Sequence, residues 1–198
     1  MSTSPAFATS FPRLLLLALT AAALATLCDA NHVYTQTLAY PEPFLFGQAW
    51  WVFPNFVLAF LAMGAGYFFL APRLPASMPV QQSTAPGNLR DFVEATVAFA
   101  LVYLASGFGN ESPALLSVIF YGTFVLRWLA TYERGWMLLL AIILGIAGMF
   151  AEGALGASGG VAYRQVDIFH VPWWLGGLYV HGAFALREGM RFFVYRPR

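Results

Sequence analysis

The side chains best suited to chemistry in this chain are three histidines and a few carboxylates that lie within or beside apolar sequence. Asp29 and His32 are three residues apart, so they share a face if a helix continues through them. Together with Glu152, His170 and His181 they could supply the nitrogen and oxygen ligands of a metal site. They come from separate segments, however, and no HExxH or comparable spacing is present. We therefore predict no metal site and expect these groups to cap helix ends and loops by hydrogen bonding.

Two further titratable residues lie in apolar stretches. His181 lies well inside the last stretch, where such a group is either functional or a hydrogen-bond donor facing other helices. Glu94 lies near the start of the third stretch, where with Asp91 it places negative charge at a helix N-terminus. The chain has no nucleophile elbow, phosphate-binding glycine loop or paired-carboxylate motif. The sequence therefore predicts no catalytic residue and no cofactor.

Composition indicates that a lipid bilayer surrounds most of these groups. The chain is 60% hydrophobic and 10% charged, and its mean hydropathy is +0.67, whereas soluble domains are about 25% charged. A net charge of +1 and the absence of lysine argue against a nucleic-acid partner. A single cysteine, Cys28, excludes an intrachain disulfide. Six apolar stretches predict membrane spans at about 13–30, 48–71, 89–106, 113–130, 135–152 and 173–193.

The arginines predict the topology. Only Arg164 lies on one side of the predicted spans. Because positive residues stay on the cytoplasmic side during insertion, both termini are expected in the cytoplasm. The expected fold is therefore an all-α bundle of six transmembrane helices in a single domain, with residues 72–88 as a flexible cytoplasmic connector. The first span also resembles a signal peptide, but we expect it to be retained. The other nine arginines are Arg13, Arg73, Arg90, Arg127, Arg134, Arg187, Arg191, Arg196 and Arg198.

Two stretches resemble the insulin-induced gene (Insig) family of six-span membrane proteins. The first is Ala49-Trp50-Trp51-Val52-Phe53-Pro54, which is similar to the family's Ala-Trp-Trp-Val-x-Pro at the start of its second span. The second resembles a family pattern of a Tyr, an Asp-containing turn, Val-x-x-Trp-Leu, glycines and a terminal Arg. Its residues here are Tyr163, Asp167, Val171, Trp173, Gly182, Arg191 and Phe192.

The resemblance implies a binding protein without enzymatic activity. Eukaryotic members lie in the endoplasmic reticulum, bind oxysterols and retain sterol-regulated partners there, whereas a prokaryotic member is expected to bind an apolar lipid such as a diacylglycerol. This chain departs from the family in its lack of lysine and in His170 and His181, which puts sterol binding and the eukaryotic partners in doubt. A bacterial plasma membrane is the expected location, or the endoplasmic reticulum if the chain is eukaryotic. Glycines in the spans also favour close helix packing and a homo-oligomer.

We therefore predict a slot between helices that binds a lipid or sterol-like ligand. The protein is expected to catalyse no reaction on this ligand. Apolar burial drives such binding weakly, because a lipid tail leaves one apolar medium for another. Selectivity must then come from shape and from polar groups at the rim. The residues predicted to form the rim and the upper wall of the slot are Trp50, Trp51, Tyr163, Asp167, Trp173, Trp174 and His181.

Two alternatives remain open. A membrane-embedded enzyme acting on a lipid or isoprenoid would use Asp29, His32, Glu152 and His181 as acid–base or metal groups. A transporter of small solutes would line a polar path with Glu94 and His181. Internal repeats would favour the transporter, and none is expected from the sequence.

Overall fold

The computed structural model describes residues 7–196 and confirms an all-α membrane fold. Its six α-helices are α1 (Phe7–Tyr34), α2 (Val52–Leu70), α3 (Leu89–Phe108), α4 (Pro113–Ala130), α5 (Arg134–Ala157) and α6 (Trp173–Gly189). A 3₁₀ turn, Ala71–Arg73, follows α2, and a π turn, Met190–Val194, extends α6. The strands β1 (Leu38–Ala39) and β2 (Ala162–Tyr163) form a small antiparallel sheet. We refer to the end of the bundle that holds this sheet as the sheet end.

The helices α1 and α5 are longer than the spans predicted from the sequence. The predicted spans end beside the polar residues Asp29 and His32 in α1 and at Glu152 in α5. Both helices continue beyond these residues. The side chains of these residues are hydrogen-bonded inside the bundle, and a buried polar group with a partner does not have to end a helix. Both helices thereby carry carboxyl groups into the interior at the sheet end.

Five of the six helices, α1 to α5, are long and apolar enough to cross a membrane. The exception is α6, which has 17 residues and reaches Val194 only with its π turn. It is also the most enclosed helix, because α3, α4 and α5 all pack against it. Its charged residues Arg187 and Glu188 are therefore buried against protein instead of lipid. This sheltered position explains why α6 tolerates more polar residues than its neighbours.

The connector between α2 and α3 makes specific contacts with the bundle. The carboxylate of Glu133, which precedes α5 with a positive φ of 50°, accepts the backbone N–H groups of Gln82 and Ser83 at 2.8 Å each. The hydroxyl of Tyr67 donates to the Ser83 carbonyl at 3.0 Å. At the end of the connector, the N–H of Gly87 donates to the carbonyl of Arg191 at 3.0 Å. These contacts fasten the segment in this structure, while its flexibility in solution stays a prediction.

The structure contains an internal repeat, contrary to the expectation from the sequence. A helix, a short strand, a tight turn and a second helix follow one another in α1–β1–α2 and again in α5–β2–α6. The turns match closely, since the isolated bridge Leu45–Gln48 in the first copy corresponds to Ile168–Val171 in the second. From β1 to the start of α2, five residues have an identical counterpart in the second copy at one constant spacing along the chain. They are Ala39 and Ala162, Tyr40 and Tyr163, Phe46 and Phe169, Trp50 and Trp173, and Trp51 and Trp174.

The repeat bears on the transporter alternative. The copies run in the same direction, because the two helices α3 and α4 separate them, and parallel repeats occur in several transporter families. The residues expected on a polar path, however, lie elsewhere. Glu94 is exposed and pairs with Arg90 at 2.9 Å, and His181 is buried against the carbonyl of Phe120 on α4. The repeat thus removes one argument against transport without providing the predicted path.

Candidate functional site

A cavity of about 330 Å³ lies among α1, α2, α3, α5 and α6. Most of its wall is apolar, and it includes Leu24, Phe56, Phe99 and Leu178. Small residues contribute much of the remaining wall on α2, α5 and α6, where larger side chains would fill the space. The volume falls at the lower end of the range for ligand pockets, about 300–1,000 Å³. The cavity has the shape and lining suited to an apolar chain.

The polar end of the cavity is centred on Glu152 of α5. Its Oε1 accepts a hydrogen bond from the Tyr179 hydroxyl at 3.1 Å, and its Oε2 accepts one from the Tyr163 hydroxyl at 3.3 Å. All three residues line the cavity. A buried carboxyl group requires such partners, because its desolvation would otherwise be costly. The arrangement leaves polar atoms at one end of a mainly apolar space.

A second carboxyl group, Asp29 of α1, lies behind this wall. Its Oδ2 accepts hydrogen bonds from the Tyr40 hydroxyl and from Nε2 of Gln48, both at 2.7 Å. Tyr40 and Glu152 also line the same small recess. The tyrosine that is bonded to Asp29 therefore lies close to Glu152 as well. Tyr40 thus joins the loop after β1 to Asp29 by a hydrogen bond and lies beside the recess next to Glu152.

Both carboxyl groups affect the pKa values of Tyr40 and Tyr163. Burial raises the pKa of Tyr40 far above its usual value, and the nearby Asp29 and Glu152 raise it further. Burial also raises the pKa of Tyr163, with further contributions from Glu152 and Asp29. Both phenols therefore stay protonated and act as hydrogen-bond donors. Each donates to the carboxyl group of its own copy of the repeat.

A buried histidine completes the polar region. Nε2 of His32 lies 2.7 Å from the hydroxyl oxygen of Ser106, whose proton is donated to the carbonyl of Tyr103 at 2.6 Å. The imidazole packs against the rings of Tyr103 and Trp174. Its Nδ1 lies 3.9 Å from Oδ1 of Asp29, which is too long for a hydrogen bond, and has no hydrogen-bond partner among the described residues.

Three of the residues predicted for the rim lie at the surface of the sheet end. Trp50 is 67% exposed and precedes α2. Asp167 accepts a hydrogen bond from the backbone N–H of Trp173 at 2.9 Å, which satisfies one of the N–H groups that have no partner within the first turn of a helix. Trp173 is itself exposed. None of the three lines the cavity, so ligand contact by them stays an untested prediction.

The other predicted residues fall into two groups. Tyr163 lines the cavity, and the rings of Trp51 and Trp174 pack edge-on against Tyr40 and Tyr163 at 5.6 Å and 6.4 Å. The tryptophans therefore orient the tyrosines that donate to the carboxyl groups. His181 lies away from the cavity, with its Nε2 2.9 Å from the Phe120 carbonyl and its Nδ1 3.1 Å from a guanidinium nitrogen of Arg127.

Several residues of the polar end were not predicted from the sequence. The sequence does not single out Tyr40, Gln48, Tyr103 or Tyr179, because they look like ordinary interfacial or packing residues. The internal repeat was the available signal, because it aligns Tyr40 with Tyr163 and Asp29 with Glu152. No group of three or more His, Cys, Asp or Glu suited to a metal ion occurs in the described part of the chain.

Comparisons with known proteins are informative only for structures. No protein-family model matches the chain, and no curated protein does. The fold is similar to the crystal structure of MvINS, an Insig homologue from Mycobacterium vanbaalenii, with a TM-score of 0.72 and 20% identity over 94% of this chain and 97% of that chain. A cross-linked trimer formed by a variant of MvINS gives a TM-score of 0.70, also at 20% identity over 94% of this chain and 97% of that chain. The resemblance found in the sequence is thus confirmed at the level of the fold, that of a prokaryotic Insig homologue.

Proposed function

We propose that this integral membrane protein binds a lipid or sterol-like ligand, for example a diacylglycerol, in the cavity among its helices and performs no chemistry on it. The observation that supports this proposal is a cavity of about 330 Å³ with apolar walls and a hydrogen-bonding end at Glu152, Tyr163 and Tyr179. An apolar chain would occupy the walls, and a polar head group would meet the sheet end. Binding of this kind selects by shape and by a few directional contacts.

We also propose that the protein regulates a membrane partner and that it forms a homo-oligomer. An Insig-like fold supports a regulatory role, and the trimer of the MvINS variant supports a homo-oligomer. Several large apolar side chains of α4 point away from the bundle, among them Leu115, Val118 and Leu126. These residues would contact lipid or a second copy of the chain.

Two glycines provide a matched test of the cavity. Gly182 lines it, and a Cβ placed there would meet only the Phe99 ring, at 3.5 Å or more. Gly122 lies on the exposed side of α4, where a Cβ would meet nothing within 4 Å. Gly182→Leu should fill the cavity, while Gly122→Leu makes the same change of residue type outside it. Native mass spectrometry of the detergent-purified proteins should show a co-purified lipid in the wild type and in Gly122→Leu, and strongly reduced lipid in Gly182→Leu. Equal retention in all three would count against the cavity.

A lipid-modifying enzyme is the second candidate, and one observation favours it. Ser106, His32 and Asp29 lie in a row, with His32 Nε2 2.7 Å from the serine oxygen and Nδ1 3.9 Å from the carboxylate. All three are buried, and none lines the cavity, so a substrate would first have to reach Ser106. Labelling of the wild-type protein by a fluorophosphonate, lost in Ser106→Ala, would favour this candidate over simple binding.

A further inference from the structure

Three arginines lie close together where α4 and α6 end, on the side of the bundle opposite the sheet end. Arg127 is in the last turn of α4, Arg187 is in the last turn of α6, and Arg191 follows in the π turn. The guanidinium carbons of Arg127 and Arg187 lie 4.2 Å and 5.9 Å from the centroid of one ring, that of Phe184. The two positive charges are therefore neighbours and repel each other. None of the three arginines lines the cavity.

Two carboxylates compensate this cluster, and both are engaged by Arg191. Glu188 accepts hydrogen bonds from Arg187 at 2.8 Å and from Nη1 of Arg191 at 2.5 Å. Asp91 lies 3.8 Å from the same nitrogen of Arg191. Within the described chain Arg127 forms no ion pair, and its hydrogen bond is to a histidine. Three cations thus face two carboxylates, and the surplus charge is that of Arg127.

The other acidic groups on this side of the described chain are engaged elsewhere. Glu94 pairs with Arg90 at 2.9 Å, and the carboxylate of Glu133 accepts backbone N–H groups of the connector. The carbonyl groups at the C-terminus of α4 offset only about half of one positive charge. The half-buried guanidinium of Arg127 is therefore suited to an anion from outside the chain.

Neighbouring groups hold Arg127 in one orientation. Its Nη1 lies 3.1 Å from Nδ1 of His181, and Nε2 of the same imidazole lies 2.9 Å from the Phe120 carbonyl. Because a carbonyl only accepts, Nε2 carries the imidazole proton and Nδ1 accepts from the guanidinium. The neutral histidine thus holds one edge of Arg127, while the Phe184 ring supports its face.

The rest of the guanidinium group is free to bind. Its other N–H groups make no hydrogen bond within the described part of the chain, and none of their nitrogens is fully buried. A planar guanidinium with several free N–H groups matches two oxygens of a phosphate, and such paired contacts are strong. Leu126 and Leu129, on either side of Trp128, are 67% and 51% exposed. An apolar, exposed surface beside a cation at the end of a membrane-spanning helix places Arg127 near the depth of lipid head groups.

We propose that Arg127, with the charge of Arg187 beside it, binds the phosphate of an anionic phospholipid whose acyl chains lie along the exposed face of α4. Basic sites between helix ends are suited to anionic head groups for this reason. A zwitterionic lipid carries its own cation and would leave the surplus charge of Arg127 in place. The site lies outside the cavity, so it does not depend on the proposed function.

Two phospholipids with identical acyl chains test the head group on the wild-type protein. Dioleoylphosphatidylglycerol carries a net negative charge, whereas dioleoylphosphatidylcholine is neutral overall. The full chain in a nonionic detergent would be mixed with equal amounts of both, and the retained lipid would be measured by native mass spectrometry. We expect the phosphatidylglycerol to be retained at least about fivefold better. Equal retention of the two lipids would overturn the proposal, and this comparison needs no variant to fold.

Variants assign the preference to Arg127. Arg127→Gln should abolish it, and Arg127→Lys, which keeps the charge but loses the planar fork, should give an intermediate value. Arg90→Gln removes an equal charge from an exposed part of α3 on the same side and should leave the preference unchanged. Equal losses in Arg127→Gln and Arg90→Gln would show that the preference follows the charge of the whole face, which contradicts a site at Arg127. Gly182→Leu should also leave it unchanged, and its loss there would place the anionic lipid in the cavity instead.

Thermal unfolding separates a lipid from free phosphate as the source of the anion. Phosphatidylglycerol should raise the melting temperature of the wild type and of Arg90→Gln above the value in phosphatidylcholine, and it should not do so for Arg127→Gln. Sodium phosphate, compared with sodium chloride at equal ionic strength, should raise it in none of the three. A rise with sodium phosphate as large as that with phosphatidylglycerol would assign the site to free phosphate and overturn the lipid proposal.

Discussion

Tyr40 and Asp29 are joined by a 2.7 Å hydrogen bond that ties the loop after β1 to the interior of α1. The corresponding bond between Tyr163 and Glu152 measures 3.3 Å. Each tyrosine is oriented by a tryptophan of its own copy of the repeat. The same three-residue arrangement therefore occurs twice at the sheet end, with one bond shorter than the other.

This asymmetry predicts unequal costs for removing the two hydroxyl groups. Tyr40→Phe deprives a buried carboxyl group of a short bond and should lower the free energy of unfolding by about 1–3 kcal/mol. Tyr163→Phe removes a longer bond to Glu152, which keeps its bond from Tyr179, and should cost less. Thermal unfolding in detergent measures both. Tyr34→Phe, on an exposed side chain, is the control, and a larger loss for Tyr163→Phe than for Tyr40→Phe would contradict the prediction.

Glu188 should be more important for stability than any exposed acid in the chain. Its carboxylate accepts hydrogen bonds from Arg187 at 2.8 Å and from Arg191 at 2.5 Å, and both Glu188 and Arg187 are buried. Glu188→Ala leaves these guanidinium groups without their buried partner, which typically costs about 3–5 kcal/mol. Glu94→Ala removes an exposed partner of Arg90 and should change the melting temperature little. Similar melting temperatures for the two variants would show that the buried network contributes no more than a surface pair.

The sequence predicts the helices well and the polar end poorly, for physical reasons. Long apolar stretches mark α2, α3 and α4 because the bilayer requires them. The predicted ends of α1 and α5 are too early, since Asp29 and Glu152 are polar and their tyrosine partners lie in or directly after the short strands. Those partners are positioned by strands of two residues each, which are too short to produce an alternating pattern.

The predicted rim illustrates the same limit. The sequence predicts both pairs of adjacent tryptophans for the rim, but it does not show that one member of each pair packs on a tyrosine while the other is exposed. That distinction becomes visible only when residues Trp51 and Trp174 are aligned through the repeat. His181 was expected at the slot because of its depth in the last span, and it instead bonds to α4.

Glu133 should determine whether the connector of residues 72–88 stays on the bundle. Its carboxylate accepts two backbone N–H groups of the connector at 2.8 Å, and hydrogen bonds to a charged group contribute about 1.5–3 kcal/mol each. Glu133→Ala should therefore release the segment, with faster hydrogen exchange at Gln82 and Ser83 and faster proteolysis between α2 and α3. Glu42→Ala, on an exposed loop, should leave both rates unchanged. If exchange at Ser83 is already fast in the wild type, the connector is flexible despite these contacts.

The distribution of arginines predicts which face of the bundle is cytoplasmic. Arg13, near the start of α1, donates to the carbonyl of Arg196 at 2.7 Å, so both ends of the described chain lie on the same face, together with the connector.

Cys28 is buried, so the wild type should resist a membrane-impermeant maleimide and provide an unlabelled background. In intact cells Ser77→Cys, on an exposed part of the connector, should not react with the maleimide. It should react once the membrane has been permeabilised. Glu42→Cys, at the sheet end, should react without opening, because positive charge retains the opposite face in the cytoplasm. The reverse labelling pattern would place the sheet end in the cytoplasm, and the head group of any bound lipid would then lie in the opposite leaflet.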